Sequence, residues 1–312
     1  MPQTDWLDQA HAMASGIRRR VLEHTLRNNG GYLSQACSAA EIFAALYCRI
    51  MHLGSVDRPL TPRPFPGVPS AINPGPFNGS LFNGPSSPDS DRFILSPTHY
   101  SLVLYAALIE AGRMTENGLD EFNKDGSSVE MIGAEHSPGM EVMTGSLGQG
   151  LSQGVGIALG RKLKKASGRV IVFMSDGEYQ IGMTWEAIQF MSHYKLDNMI
   201  VIIDANRQQC DGTVESVMSI QPLDKRIEAF GGKVCSVDGH DVEALAGSAE
   251  STPDGRPIFI IASTDPCRGI GTLRANAPKL HYLRFKSAEE KEMYERLRET
   301  QWNSLASKME RG

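Results

Sequence analysis

Three stretches of this chain, 170–174, 199–203 and 258–261, are continuously apolar and rich in branched side chains, with a weaker stretch of the same kind at 233–237. A strand with one wet face alternates apolar and polar residues, so a run without alternation predicts a strand covered on both faces. A shorter run, 93–96, reads the same way. Helical spacing occupies the intervals: 6–28, 38–51, 100–111, a small-residue segment at 148–166, and an amphipathic, charge-rich segment at 287–309. The basic end of 148–166 (Arg161, Lys162, Lys164, Lys165) suits the negative end of a helix dipole. Ser38 followed by Glu41 predicts a capping box opening the second helix before Ile42, Leu46 and Ile50. Strands alternating with helices give an α/β fold, a parallel sheet covered by helices on both faces.

Proline placement changes the picture of domain organisation. Nine of the 17 prolines fall between Pro59 and Pro88, among glycine, serine and asparagine. Proline removes donors and fixes φ, so this stretch predicts a loop or arm rather than a ladder. The helical piece before it is too short for its own core. The expectation is therefore one domain over residues 1–312, with an inserted Pro/Gly-rich loop at about 57–90. Charge excludes some partners: 31 Lys+Arg against 36 Asp+Glu gives net −5 with no basic block, against nucleic acid or a membrane surface. There is no apolar stretch of membrane-spanning length, and the N-terminus lacks a signal-peptide core. Five scattered cysteines without CxxC predict reduced thiols and a cytoplasmic location.

Ligands of parallel α/β sheets bind beyond the carboxyl ends of the strands, which is where the chemistry is expected. The run at 170–174 leads into Ser175-Asp176-Gly177-Glu178, and that at 199–203 into Asp204-Ala205-Asn206-Arg207-Gln208. Taken singly, Asp-Gly is a common turn, and Asp or Asn after a strand often caps the next helix. Together they place a carboxylate and an amide oxygen at one sheet edge, one βαβ unit apart. Such oxygens suit a hard divalent cation, and Gly177 lets the backbone approach a phosphate. The pair resembles the thiamine-diphosphate motif, Gly-Asp-Gly followed one βαβ unit later by Asn. Thr144-Gly-Ser-Leu-Gly-Gln-Gly150 resembles the transketolase loop TGSLGQG; Arg92-Phe-Ile-Leu-Ser96 with His99, Val237-Asp-Gly-His-Asp241 and Ser38-Ala-Ala-Glu-Ile42 also match that family. The likeness runs over about 12–290 and is greatest to the N-terminal, diphosphate-binding subunit of a split transketolase.

The resemblance implies the thiamine-diphosphate-binding fold, with thiamine diphosphate and Mg2+ as cofactors. It implies magnesium on Asp176, Asn206 and the carbonyl of Gln208. Gly177 and Glu178 would lie beside the diphosphate and Gly145, Ser146 and Leu147 along the aminopyrimidine. His99 and His281 are the implied catalytic residues, reaching diphosphate or sugar; neutral histidine can donate to phosphate and move protons. The pyrimidine-binding domain that completes such a site is missing from this sequence. That implies inactivity alone. It also implies a partner in the form of a C-terminal pyrimidine-binding transketolase subunit, and a heterotetramer acting on a sugar or sugar-like small molecule. Tyr32 stands where the family has a substrate-facing histidine, Met131 where it has another (with His136 nearby), Tyr100 where it has a small residue, and Ile181 where it has an acid, while Glu186 keeps the next acidic position. Loss of sugar-binding donors implies a less polar or differently shaped substrate. Two rivals remain at this point: the alpha-type subunit of a thiamine-dependent 2-oxo acid decarboxylase or dehydrogenase, and a degenerate scaffold subunit. Gly148-Gln-Gly150 with Gly154 does not follow a strand with the dinucleotide spacing, and Gly269-Ile-Gly271 is a lone GxG in a loop.

Overall fold

The apolar runs pair into a five-stranded parallel sheet in the computed structural model, which describes residues 5–68, 70–73 and 78–303. In chain order the strands are β1 (Gly30–Gly31), β2 (Arg92–Leu95), β3 (Val170–Ser175), β4 (Met199–Ala205), β5 (Gln208–Gln209), β6 (Gly212–Thr213), β7 (Lys233–Asp238), β8 (Ile258–Ser263) and β9 (Leu283–Arg284). The helices are α1 (Asp5–Arg27), α2 (Leu33–Ala45), α3 (Ser101–Glu110), α4 (Gln149–Leu163), α5 (Gly182–His193), α6 (Val214–Met218), α7 (Leu223–Ala229), α8 (Val242–Ala249) and α9 (Ala288–Arg298). The large sheet has the order β2-β3-β4-β8-β7, and two small antiparallel pairs, β1-β9 and β5-β6, flank it.

Alternate side chains of each strand enter different cores. Phe93, Ile171, Phe173, Ile200, Ile202 and Ile260 pack with α1, α2, α3 and α8. Ile94, Val172, Met174, Val201, Ile203 and Phe259 pack with α4, α5 and α7. Both faces are therefore dry, which is the physical reason these strands do not alternate. The expected parallel sheet covered on both faces is the one observed, including the weaker strand at 233–238.

The expected capping box at Ser38 does not form. Helix α2 begins at Leu33, after Tyr32, and every residue from Leu33 to Ala45 is buried. A helix buried all round carries no polar stripe to mark its start. Ser38 and Glu41 bond across the core instead, to Asp204 and to Arg18 and His240. The predicted helix to residue 51 loosens into a wider π turn at Leu46–Ile50. At the other end, α9 stops at Arg298 and continues as a π turn to Asn303; positions 304–309 of the expected helix lie outside the described residues.

The described residues of the proline-rich stretch form no regular ladder of their own, yet they are fastened to the body. Leu60 N–H donates to Arg113 O at 2.9 Å and Phe65 N–H to Gly126 O at 2.8 Å. The Arg113 guanidinium donates to the carbonyls of Gly54 and Phe82. All five cysteines are free. No helix among the described residues is long and apolar enough to cross a membrane.

Candidate functional site

Strands β3 and β4 run in register, Ser175 opposite Asp204, so their carboxyl ends deliver Asp176 and Asn206 to one place. The turn after β4 is tight: Arg207 adopts φ 61°, the left-handed region that costs a non-glycine residue about 1 kcal/mol. That conformation turns Arg207 N–H onto Asp176 Oδ2 at 2.7 Å. Asp176 is buried, and its Oδ1 has no hydrogen-bond partner; the same holds for Gln208 Oε1. Burial, then the neighbouring Asp204, push the Asp176 carboxyl up to about 8. A buried carboxylate short of positive charge, an orphaned amide oxygen and Asn206 Oδ1 form an oxygen-rich set that fits magnesium. Gln208 presents its side-chain oxygen as the orphan, where the family resemblance points to its carbonyl.

A cavity of about 100 Å³ opens at this point. His99, Tyr100, Leu147, Gly177, Asn206, Gln208 and His281 all line it, so most of the expected site residues converge. An added Cβ at Gly177 would meet just Gln209 Cγ at 3.9 Å, so the backbone there faces open space in the cleft. Gly177→Val is accordingly expected to fill the cleft floor without disturbing the fold. Affinity for diphosphate, measured by calorimetry, should fall by roughly tenfold or more while the urea midpoint stays unchanged.

The two histidines are neutral near pH 7. Burial, then His281, lower His99 to about 3, and burial lowers His281 as well. Their rings lie 4.9 Å apart, and Gln35 Nε2 donates to the His281 carbonyl at 3.1 Å while lying 3.4 Å from its Nδ1. Each can thus offer a single N–H to an anion or a hydroxyl without bringing a charge.

The glycine loop is fixed from below. Gly148 has φ +83° and caps α4, and its N–H donates to Glu178 Oε1 at 2.9 Å. Gly145, at φ +123°, leaves no room for a Cβ beside Ile132. Ser146 and Leu147 stay exposed on the rim. Glu178, expected beside the diphosphate, is fully buried and takes hydrogen bonds from Ser96, Gly148 and Ser175. It braces three segments that carry the site and has no surface left for a ligand.

The altered positions divide. Tyr32 and Met131 line a second, larger cavity of about 770 Å³ rather than the small cleft. Tyr32 stands between the two, its ring 6.1 Å from His99, 5.6 Å from His281 and 5.0 Å from Tyr282. Ile132, the next residue after Met131, is the one that meets the glycine loop. Tyr100, expected to face substrate, is 1% exposed and its hydroxyl points down at Asp204. His136 turns away from the cleft, onto Glu130 at 3.0 Å and the ring of Phe65 in the proline arm. The Asp-Gly-His-Asp motif has a structural use: His240 Nε2 accepts from Asp265 N–H, which leaves its Nδ1–H to donate to Glu41, and Asp241 caps α8. Gln35, Ile132 and the buried Ser38–Asp204 pair were invisible in the sequence, since each matters through partners far along the chain.

The model of the family described as transketolase, thiamine diphosphate binding domain, matches residues 66–298. The chain is 36% identical over 282 residues to the transketolase family protein y4mO of Sinorhizobium fredii, covering 87% of this chain and 90% of that one. It is 31% identical over 278 residues to a protein of Actinobacillus succinogenes named as one of the subunits of apulose-4-phosphate transketolase, covering 88% and 91%. With human transketolase it shares 35% over 272 residues, 86% of this chain and 39% of the longer one. The crystal structure of Campylobacter jejuni transketolase superposes with a TM-score of 0.72 at 24% identity, over 94% of this chain and 42% of that one.

Proposed function

The chain belongs to the transketolase family, and from that premise we propose that it is the diphosphate-binding subunit of a two-subunit transketolase that moves a two-carbon ketol unit from a ketose to an aldehyde. The observation that carries this reading is the convergence of Asn206, Gln208 and Gly177 with His99 and His281 on one cleft, with Asp176 buried beside it and bonded to Arg207 N–H. What supports a split arrangement is the likeness to short relatives: the match takes in 90% of y4mO and 91% of the Actinobacillus transketolase subunit, against 39% of human transketolase. The partner would be a pyrimidine-binding subunit, and the pair would form a heterotetramer with its sites between subunits.

Thiamine diphosphate, when bound, supplies the carbanion chemistry. The chain's own residues do the rest of the work assigned here. Asp176, Asn206 and Gln208 would hold magnesium through oxygen, and the open backbone at Gly177 would admit the diphosphate. The glycine loop, with Gly145 and Leu147, would hold the cofactor's rings. His99 and His281, kept neutral by burial, donate hydrogen bonds and exchange a proton with a substrate oxygen. Tyr32 replaces a polar contact by an aromatic one, which favours a less polar acceptor. The proline arm is fastened beside residues 126–136 and lines a separate cavity of about 500 Å³ with Ser128 and His136.

Reconstitution with a pyrimidine-domain subunit tests this reading. Two-carbon transfer to an aldehyde is expected, dependent on both subunits, on thiamine diphosphate and on magnesium. Carbon dioxide release from a 2-oxo acid, or a complex that gives no thermal shift with cofactor and magnesium, would refute it.

A further inference from the structure

We infer that Tyr100 is a positioning residue that fixes the amide of Asn206 with its oxygen toward the cation; this rests on the magnesium site proposed above. Asn206 Nδ2 donates to Tyr100 Oη at 2.9 Å and lies 3.2 Å from Asp204 Oδ2 and 3.4 Å from Ser38 Oγ. Tyr100 spends its single proton on Asp204 Oδ2 at 2.7 Å. Its hydroxyl therefore presents a lone pair, and not a hydrogen, to Asn206. Rotating the amide by half a turn would set the Asn206 oxygen against that lone pair and against the Asp204 carboxylate. The nitrogen is thus locked inward, and Oδ1 faces the loop, where Gln208 N–H meets it at 2.8 Å.

Asp204 anchors the arrangement. It is fully buried and accepts from Ser38, Tyr100, Asn206 and, on its other oxygen, Thr264. Tyr100 is itself held, its ring 4.9 Å from Phe173 in β3 and 4.7 Å from His99. A tyrosine here reaches from the start of α3 to the end of β4, and a small residue could not. Outer partners that orient a ligating group govern metal affinity roughly ten- to a hundredfold in comparable sites.

The test is the magnesium dependence of cofactor binding, followed by calorimetry at saturating thiamine diphosphate with the full chain and its partner subunit. Tyr100→Phe keeps the ring packing and removes the hydroxyl. Its half-saturating magnesium concentration is expected to rise roughly tenfold. At saturating magnesium, affinity for thiamine diphosphate should return to that of the native protein. Ser38→Ala, which removes an equal hydrogen bond from Asp204 with a weaker hold on Asn206, should change the magnesium requirement by less than about threefold. An unchanged requirement in Tyr100→Phe overturns the inference, as does an equal effect in Ser38→Ala. Asp176→Asn is the control: if it too matches the native protein, the magnesium reading itself fails, and this inference with it.

Discussion

Asp176→Asn is expected to move the ligand-free and cofactor-bound proteins in opposite directions. Burial first, and Asp204 second, raise this carboxyl from 3.8 to about 8. Between those values the folded chain holds a proton that the unfolded chain has released. The stability tied to that proton is complete below about pH 3.8 and drains away as the pH rises toward about 8. At neutral pH the native aspartate costs the ligand-free fold on the order of 2 kcal/mol or more. Asparagine does not ionise and still accepts from Arg207, so the variant should melt about 4 °C higher at pH 7. The gap should close near pH 4. His24, lowered to about 4, and His99, lowered to about 3, act in the reverse sense, since below about 6.5 the unfolded chain takes up their protons first. That acid instability is common to both proteins and cancels in the difference. With magnesium and thiamine diphosphate the native complex should gain stability and the variant should gain nothing dependent on magnesium. Melting curves at pH 4.5, 7 and 8, with and without ligands, decide the matter. A difference independent of pH would remove the burial argument.

Glu178→Ala is expected to be the most damaging of the single changes considered. The side chain is fully enclosed and receives the Ser96 hydroxyl, Gly148 N–H and Ser175 N–H. Removing it leaves two backbone donors and a hydroxyl buried without partners, at about 1–3 kcal/mol each. Some of that is offset because burial already strains the carboxylate upward in pKa. A net loss of about 3 kcal/mol in urea unfolding is the expectation. Glu178→Gln keeps one acceptor oxygen and should lose about 1 kcal/mol. If alanine and glutamine were equally mild, the brace between β2, β3 and the glycine loop would not be what holds the loop in place.

The sheet was legible because burial on both faces leaves an unmistakable sequence trace: Val170–Ser175 and Met199–Ala205 have no polar side to interrupt them. The residues proposed to hold the metal could be picked out because they lie at or just beyond the ends of such strands. Side chains acting at long range were not. Ser38 and Glu41 spell a local cap, but their partners are Asp204, His240 and Arg18, at separations no local rule reaches. Glu178 sits in the motif yet serves the loop behind it. Tyr100 stands next to His99 in sequence, and one step along the backbone turns its hydroxyl from the cleft into the core. Met131 and Ile132 show the same sensitivity, since a shift of one position decides which side chain meets the glycine loop.

The short pairing of Gly30–Gly31 with Leu283–Arg284 has a temporal meaning. It joins two segments far apart in sequence, with Tyr32 just after one strand and His281 just before the other. During synthesis the five-stranded sheet can assemble progressively, but the wall of the cleft waits until Leu283–Arg284 have emerged. Contacts so distant in sequence form late, after the loop-closure entropy has been overcome elsewhere. A nascent chain would therefore carry the finished ends of β3 and β4 before it has a finished histidine wall, and a nick between β8 and β9 would open the cleft while leaving the sheet standing.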